Sequence, residues 1–187
     1  MGSHENIVNN SVYTKGGNME RLLIIGCGGA GKSTLARQLG EKLNLPVVHL
    51  DQIWWTPGNW QHMKREEFDN RVKEEMAKPQ WIMDGNYNRT LPMRLEKCDT
   101  VIYLDFSRFA CLRSWVGRVL KNWGHAREDM AEGCAEWFDP EMAKWIWNYN
   151  KNNRERNYQL LKEATHAKTI VLKNRRMVKQ FLKSMER

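Results

Sequence analysis

The stretch "LLIIGCGGAGKSTLA", residues 22–36, joins an apolar run to a helix-forming segment through a run of glycines. Its spacing, a glycine followed after four residues by Gly-Lys-Ser, is typical of a phosphate-binding loop between a strand and a helix. Glycines leave backbone N–H groups open to an anion, and the following helix directs the positive end of its dipole at the same charge. The stretch therefore predicts a binding site for a nucleoside triphosphate.

The polar side chains of this loop have predicted roles. The ammonium of Lys32 is expected over the outer phosphates, and the hydroxyl of Ser33 is expected to ligate Mg²⁺. The predicted cofactors are ATP and Mg²⁺, and GTP stays open as an alternative nucleotide. The predicted nucleotide-binding residues are Gly26, Cys27, Gly28, Gly29, Ala30, Gly31, Lys32, Ser33 and Thr34.

The composition is typical of a globular protein, because 187 residues fit one domain, 41% of them are apolar and 28% are charged. No apolar run reaches the roughly 20 residues that cross a bilayer, and the first residues contain no apolar signal core. We therefore expect a cytoplasmic protein without a membrane partner. The four cysteines lie far apart without metal-ligand spacing, which favours reduced thiols over disulfides or a zinc site.

The two ends of the chain differ from the rest. Residues 1–18 are polar, contain adjacent glycines and precede a second methionine, so we interpret them as a leader or cloning remnant. Residues 19–187 are then one predicted domain. The net charge is +8, and residues 162–187 hold eight Lys or Arg and two Glu. Such a basic end fits nucleic acid, but a solvated helix face is its more common meaning.

Apolar periodicity predicts alternating strands and helices. Short runs rich in β-branched residues predict strands at 21–25, 47–50, 81–83, 100–104 and 169–172. Apolar positions three or four residues apart, with cap signals, predict helices at 32–43, 62–78 and 107–122, from 139 onward, and at 176–186. This order implies a mainly parallel sheet covered on both faces, with ligands beyond the carboxyl ends of its strands. The stretch 123–138 has little periodicity and is predicted to leave the sheet layer.

Three predicted strands are followed by an aspartate, namely Asp51, Asp84 and Asp105. All three are expected at one rim of the sheet. One would hold Mg²⁺ through water and another would accept a proton from an attacking hydroxyl, since phosphoryl transfer depends on positioning and charge neutralisation. For each aspartate alone, capping of a helix is the alternative explanation.

Arginines are the expected partners of negative charge on a transferred phosphoryl group. The candidates are Arg89, Arg94, Arg113, Arg118 and Arg127. On a wheel of the predicted helix 107–122, Arg113 flanks the apolar stripe and Arg118 lies nearly opposite it. Arg118 therefore reaches a site only if another segment folds over that face of the helix.

Three tryptophans, Trp54, Trp55 and Trp60, follow Asp51 in a segment that contains Pro57-Gly58. They either stack a ring-shaped acceptor or form a small satellite core under a loop. His49 lies two residues before Asp51, and a hydrogen-bonded histidine at the core or rim is the favoured interpretation.

Four segments together resemble a known family. They are GCGGAGKST at 26–34, HLDQIWWTPGNW at 49–60, WIMDGNY at 81–87 and DMAEGCAEWFDPEMAKWIWNY at 129–149. They look like the FlaR-type DNA topology modulation proteins, a branch of the adenylate-kinase-like P-loop kinases, over essentially residues 19–186. The resemblance implies a P-loop NTPase fold, an α/β three-layer sandwich with a five-stranded parallel sheet in the order 2-3-1-4-5 and a helical lid near 123–138.

The resemblance also assigns roles to single residues. Asp84-Gly85 matches a pair that supports Mg²⁺ binding, and Arg89 matches an arginine that contacts the acceptor. Asp51 matches an aspartate near the acceptor hydroxyl, and Arg118 matches the arginine of a Gly-Arg pair. Asp105 then looks structural. The Phe-Pro-Arg run with which adenylate kinases recognise their acceptor is replaced by Asn-Tyr-Asn at 86–88, which argues against adenosine monophosphate.

The sequence therefore predicts an ATP-dependent phosphotransferase that passes the γ-phosphoryl to a small acceptor, with nucleotides and nucleosides among the candidates. The alternative is a nucleic-acid-associated ATPase that modulates DNA topology, and nucleic acid is the less favoured partner. Monomer and homodimer both remain open. The predicted catalytic residues are Lys32, Asp51, Arg113 and Arg118; those for substrate are Asp51, Trp54, Asp84, Arg89 and Arg127; those for metal are Ser33 and Asp84.

Overall fold

The computed structural model describes residues 19–58 and 60–185, so the predicted leader, residues 1–18, lies outside the described part. Its centre is a five-stranded parallel sheet in the order β2-β3-β1-β4-β5. The strands are β1 (Arg21–Gly26), β2 (Val47–His49), β3 (Trp81–Asp84), β4 (Thr100–Leu104) and β5 (Lys168–Leu172). The predicted α/β class, the parallel sheet and its strand order are confirmed.

The helices are α1 (Lys32–Leu43), α2 (Leu50–Trp54), α3 (Arg65–Met76), α4 (Leu91–Lys97), α5 (Arg108–Lys121), α6 (Pro140–Glu163) and α7 (Arg175–Ser184). Five were predicted; α2 and α4 were not, because helices of 5 and 7 residues are too short to show periodicity. Asp51 lies in the first turn of α2 and not directly at a strand end. Among the helices of the described residues, none has the length and apolarity needed to span a membrane.

Both faces of the sheet are covered, which explains the absence of polar alternation in the strands. Leu22 and Ile24 of β1 pack with residues of α1, α5, α6 and α7 in one buried cluster. Leu23 and Ile25 point the other way and pack with α3, α4 and the end of α6. The four cysteines are buried and free, in agreement with the prediction of reduced thiols.

The residues 122–139, which we call the lid segment, connect α5 to α6 and contain turns and β-bridges. No helix lies inside this segment, which differs from the helical lid that the resemblance implies. Gly124 and Gly133 adopt φ values of 74° and 77° there, a left-handed conformation that interrupts a helix. The lid segment is therefore non-helical, and helices α5 and α6 adjoin its two ends.

The lid segment is fixed against the loop that follows α2. The amide of Gly58 donates to the carbonyl of Glu132 at 2.8 Å, and the indole of Trp60 donates to the carbonyl of Ala135 at 3.1 Å. Met130, Ala131 and Cys134 form a small buried cluster against two tryptophans of that loop. These contacts hold the lid segment and the loop after α2 together at the cavity described below.

Candidate active site

A cavity of about 1240 Å³ opens at the carboxyl edge of the sheet. Its walls are the loop after β1, α2, the loop after β3, α5 and the lid segment. The predicted site residues that line it are Gly28, Gly29, Gly31, Lys32, Ser33, Thr34, Asp51, Trp54, Arg118 and Arg127. One cavity therefore joins the phosphate-binding loop to residues predicted for the acceptor.

The loop between β1 and α1 has the backbone shape of an anion receptor. Gly29 and Gly31 adopt φ values of 77° and 94°, which side-chain-bearing residues rarely adopt. A Cβ atom at Gly29 would also lie 2.3 Å from the carbonyl oxygen of Cys111 on α5. Lys32 begins α1, and its ammonium donates to the carbonyl of Cys27 at 3.1 Å across the loop. This cradle fits the phosphates of a nucleotide.

Asn86, in the loop after β3, is bound to the start of the phosphate loop. Its amide nitrogen donates to the carbonyl of Gly26 at 2.7 Å, and its oxygen accepts from the amide of Gly26 at 3.0 Å. The same oxygen accepts from the hydroxyl of Tyr149 at 3.2 Å. Sequence reasoning did not assign this role; the available signal was an amide side chain directly after the Asp84-Gly85 pair.

Asp84 is 5% exposed at the end of β3. Its Oδ1 atom lies 2.5 Å from Nδ1 of His49 at the end of the neighbouring strand β2. Burial alone lowers the pKa of His49, but the hydrogen bond and the negative charge of Asp84 outweigh it, so the pKa lies above 6.5. His49 is therefore the hydrogen-bonded rim histidine that was predicted, and it holds the carboxylate in place.

The residues predicted for Mg²⁺ fit that ion in one respect: Ser33 and Asp84 are hard oxygen donors next to a phosphate cradle. Within the described residues, no group of three or more His, Cys, Asp or Glu is arranged to hold a metal. This suits Mg²⁺ bound mainly by waters and phosphates, since Mg²⁺ usually takes few protein ligands. The Ser33 side chain is hydrogen-bonded to Asp129 of the lid segment, which brings a further carboxylate to this place.

Asp51 faces the same cavity from α2, and the hydroxyl of Tyr87 donates to its Oδ1 atom at 2.6 Å. Burial raises the pKa of Asp51, and the charge of Asp84 adds to this rise. The Tyr87 hydrogen bond and the charges of Lys32 and Arg127 act in the opposite direction without cancelling it. A carboxylate with a raised pKa is a better proton acceptor than an exposed one.

The lid segment folds over α5 and brings Arg118 into the cavity, which meets the condition that the helical wheel set. Glu136, 4% exposed, forms an ion pair with Arg118 at 3.2 Å and accepts a hydrogen bond from Arg127 at 2.6 Å. Arg127 also pairs with Asp129 at 2.6 Å. Burial raises the pKa of Asp129, but Arg127 and the Ser33 hydrogen bond outweigh it and hold this pKa below the usual range. Two partly buried cations and two buried carboxylates thus form one cluster.

Three of the five candidate arginines, Arg89, Arg94 and Arg113, do not line the cavity. Arg113 is exposed on α5 and is absent from the cavity lining, because it lies on a different face of the helix from Arg118. Arg89 pairs with Asp69 of α3 at 2.8 Å and donates to the backbone of Arg65. The structure therefore does not place Arg113 near a catalytic position or Arg89 near an acceptor.

Arg94 has a structural role that the sequence did not indicate. It is completely buried and donates to the carbonyls of Gly85, Asn86 and Tyr87 and to the hydroxyl of Thr90. Burial lowers the pKa of Arg94 to about 9. Its guanidinium shapes the loop that carries Asn86 and Tyr87.

The tryptophans after Asp51 divide into two groups. Trp55 and Trp60 lie 5.3 Å apart, edge to face, and pack against the lid segment, as the satellite-core interpretation predicts. Trp54 instead lines the cavity. Its ring lies 5.8 Å from the ring of Tyr87, the residue that binds Asp51.

Arg175, at the start of α7, is a cavity residue that the sequence reasoning missed. Its guanidinium donates to the carbonyl of Gly29 and to the hydroxyl of Ser114, each at 3.2 Å. It also lies 5.3 Å from the ring centre of Phe106. The only signal for it was its place in the basic segment directly after β5.

A parallel sheet in the order 2-3-1-4-5 with this loop after its first strand defines the P-loop nucleotide-binding fold. No family model matches the chain, and no curated protein sequence matches it. Solved structures with a similar fold include shikimate kinase from Bacteroides thetaiotaomicron, with a TM-score of 0.51, 16% identity and coverage of 89% of this chain and 96% of that one.

Two further structures are similar over nearly the whole chain. Shikimate kinase from Acinetobacter baumannii, in complex with shikimate, has a TM-score of 0.52 and 14% identity, and the match covers 90% of this chain and 92% of that one. A gluconokinase from Sinorhizobium meliloti has a TM-score of 0.52 and 12% identity, with the same coverage of 90% and 92%. At these identities the likeness concerns the fold, and the resemblance to FlaR-type proteins stays a prediction.

Proposed function

We propose that the protein is an ATP- and Mg²⁺-dependent kinase that transfers the γ-phosphoryl group to a hydroxyl of a small acceptor. The observation that carries this proposal is the position of Asp51. Its carboxylate lines the same cavity as the phosphate loop and is bound by Tyr87 at 2.6 Å. A cradle for phosphates and a carboxylate able to accept a proton are the two parts that phosphoryl transfer to a hydroxyl requires.

The residues proposed for the reaction have separate tasks. Lys32 and the backbone amides of the loop bind the outer phosphates, and Ser33 and Asp84 hold Mg²⁺. Bound Mg²⁺ neutralises charge on the β- and γ-phosphates. Asp51 takes the proton from the acceptor hydroxyl as its oxygen bonds to the γ-phosphorus and the bond to the ADP oxygen breaks. Arg118 and Arg127 stabilise the negative charge of the group in transfer.

The lid segment contributes by excluding water. A kinase must keep water from taking the phosphoryl group, and closure over the site is the usual means. This role is supported by the contacts of the lid segment with α5, Ser33, α2 and the loop after α2, and by its share in the cavity that the phosphate loop and Asp51 also line.

Further support comes from the three similar structures, which are named as kinases of small molecules. The rival proposal, a nucleic-acid-associated ATPase, has one structural observation in its favour: lysines and arginines of α7 are exposed, for example Arg176, Lys179 and Lys183. The cavity does not need nucleic acid for any of the tasks above, so we prefer the kinase.

The test is ADP or GDP release from Mg²⁺-ATP or Mg²⁺-GTP in the presence of nucleosides, nucleoside monophosphates, hydroxy acids or DNA, with mass spectrometry of the acceptor. We expect one small acceptor to stimulate release and to gain the mass of a phosphoryl group. Lys32→Met should lower turnover by orders of magnitude at unchanged folding, whereas Lys42→Met, exposed at the other end of α1, should not. Stimulation by DNA alone, or full activity in Lys32→Met, contradicts the proposal.

A further inference from the structure

Aromatic rings form one wall of the cavity that Asp51 lines. Tyr87 binds the Asp51 carboxylate and Trp54 lies three residues further along α2, and Trp55, Trp60 and Trp137 line the same cavity. Their ring centres form a connected series with separations of 5.3 to 6.5 Å from Trp54 to Trp137. Such a wall offers flat apolar area and few hydrogen-bond partners, which favours a planar ligand.

Trp54 is held in place by contacts on several sides. His62 stacks on it at 4.9 Å with an angle of 15°, Phe68 meets it edge to face at 5.1 Å, and Tyr87 lies at 5.8 Å. Trp54 nevertheless remains partly exposed and forms part of the cavity wall. A ring fixed by its neighbours loses little conformational entropy when a ligand stacks on it.

Two rings of this wall stand on strained backbone. Tyr87 has a φ of 34° and Trp60 a φ of 50°, in a region that bulky residues rarely adopt. Arg94 stabilises the conformation of Tyr87 by donating to its carbonyl at 3.2 Å. Strain of this kind is concentrated at functional sites, and here it falls on two residues that form the wall.

The charges near Asp51 do not suit an anionic acceptor. Arg127 is neutralised by Glu136 and Asp129, each at 2.6 Å, and Arg89 faces Asp69 outside the cavity. Arg118 keeps a buried Nε atom without a hydrogen-bond partner within the described residues, and the proposed function assigns it to the phosphoryl group. A second anion beside Asp51 and Asp84 would meet two carboxylates, and like charges at an interface oppose binding.

From these contacts we infer that the acceptor is an uncharged planar aromatic or heteroaromatic ring compound with a free hydroxyl, such as a nucleoside, which binds on Trp54 with its hydroxyl at Asp51. This inference rests on the proposed function and specifies its substrate class. It excludes acceptors whose recognition depends on their own phosphate or carboxylate group.

Binding is the direct test, because it does not require turnover. Isothermal titration calorimetry compares three chemical classes at saturating non-hydrolysable ATP analogue. The classes are nucleosides (adenosine and thymidine), their 5′-monophosphates, and hydroxy acids (shikimate and gluconate). We expect a nucleoside to bind at least tenfold more tightly than its monophosphate and than either hydroxy acid. Trp54→Leu should weaken nucleoside binding about 10- to 100-fold, the worth of stacking one base on an aromatic ring.

Two controls separate stacking from misfolding. Trp54→Phe restores a ring and should recover most of the affinity, and Trp147→Leu removes an exposed α6 tryptophan outside the cavity lining and should leave affinity unchanged. Tighter binding of a monophosphate or hydroxy acid, no nucleoside binding, or full affinity in Trp54→Leu overturns the inference. Phosphorylation of a hydroxy acid would overturn the inference about the acceptor and would support the proposed kinase activity. Nucleoside binding to Trp54 without phosphoryl transfer would support the aromatic binding site and contradict the kinase activity.

Discussion

The side-chain amide of Asn86 completes a pair of hydrogen bonds with the backbone of Gly26, at 2.7 and 3.0 Å. The same loop carries Tyr87, which binds Asp51. Asn86 therefore connects the acceptor side of the cavity to the phosphate loop, and the two sites are positioned by one short segment.

Asn86→Ala should weaken both folding and nucleotide binding. Three lost hydrogen bonds, two to Gly26 and one from Tyr149, of about 1 kcal/mol each predict a decrease of about 3 kcal/mol in the free energy of unfolding. Gly26 would no longer be fixed, so we expect ATP to bind several-fold more weakly. Urea unfolding and titration with an ATP analogue measure the two effects. Asn88→Ala, which removes an exposed hydrogen bond to Asn153, is the matched control; equal effects of both changes would contradict the positioning role of Asn86.

Tyr87→Phe should move the acidic limb of the activity profile to higher pH. The Tyr87 hydroxyl binds the carboxylate of Asp51 and lowers the pKa of this group, although burial keeps it above the ordinary value of 3.8. Removing the hydroxyl raises the pKa further, so a larger fraction of Asp51 is protonated at a given pH below neutrality and cannot accept a proton. The measurement is kcat against pH at saturating substrates. An unchanged acidic limb would argue against Asp51 as the base.

Asp51→Asn should lower turnover about 10²–10⁴-fold, the usual contribution of a general base, and should stabilise the fold at neutral pH. The pKa of Asp51 is raised in the folded protein, so the folded state binds a proton more tightly than the unfolded state. Its ionisation therefore decreases stability as the pH rises from about 3.8 through the raised pKa. Asparagine has no such dependence. The melting temperatures of the wild type and the variant should converge in acid and separate towards pH 7. A variant less stable than the wild type at pH 7 would contradict the raised pKa of Asp51.

Arg118 and Arg113 lie on the same helix and provide a matched pair of variants. Arg118 lines the cavity and has a buried Nε atom without a partner in the described residues, whereas Arg113 is exposed away from it. Arg118→Ala should lower kcat about 10²–10³-fold through lost charge stabilisation. Arg113→Ala should change kcat less than twofold. Comparable losses in both variants would show that the cavity geometry does not determine which arginine acts.

The parts of the molecule that depend on local sequence were predictable. The conformations of the phosphate loop follow from glycines at positions where φ is positive, and the buried strands follow from apolar runs. The roles of Asn86 and Glu136 were not predictable, because their partners Gly26 and Arg118 are distant in sequence and meet only through the fold. The acceptor-binding role of Arg89 was assigned by resemblance, and in the structure Arg89 pairs with Asp69 on α3 outside the cavity.

Glu136 determines where two of the predicted arginines lie, which gives a prediction for the lid segment. Its buried carboxylate forms an ion pair with Arg118 at 3.2 Å and accepts a hydrogen bond from Arg127 at 2.6 Å. Glu136→Gln would leave Arg127 paired with Asp129 and would remove the carboxylate that pairs with Arg118, and breaking a buried ion pair costs about 3–5 kcal/mol. We expect loss of stability near the lower end of this range, because Arg118 is 27% exposed at its side chain, together with a decrease in kcat larger than any change in the KM for ATP.

Glu128→Gln is the control for that experiment. Glu128 pairs with Arg37 at 2.6 Å, but the two side chains are 85% and 41% exposed, and exposed pairs contribute less than about 1 kcal/mol. Urea unfolding and steady-state kinetics of both variants separate a buried anchor from a surface contact. Because both acids belong to the lid segment, a general disturbance of this segment would affect both variants. Only the positioning of Arg118 and Arg127 by Glu136 predicts a selective loss of kcat in Glu136→Gln.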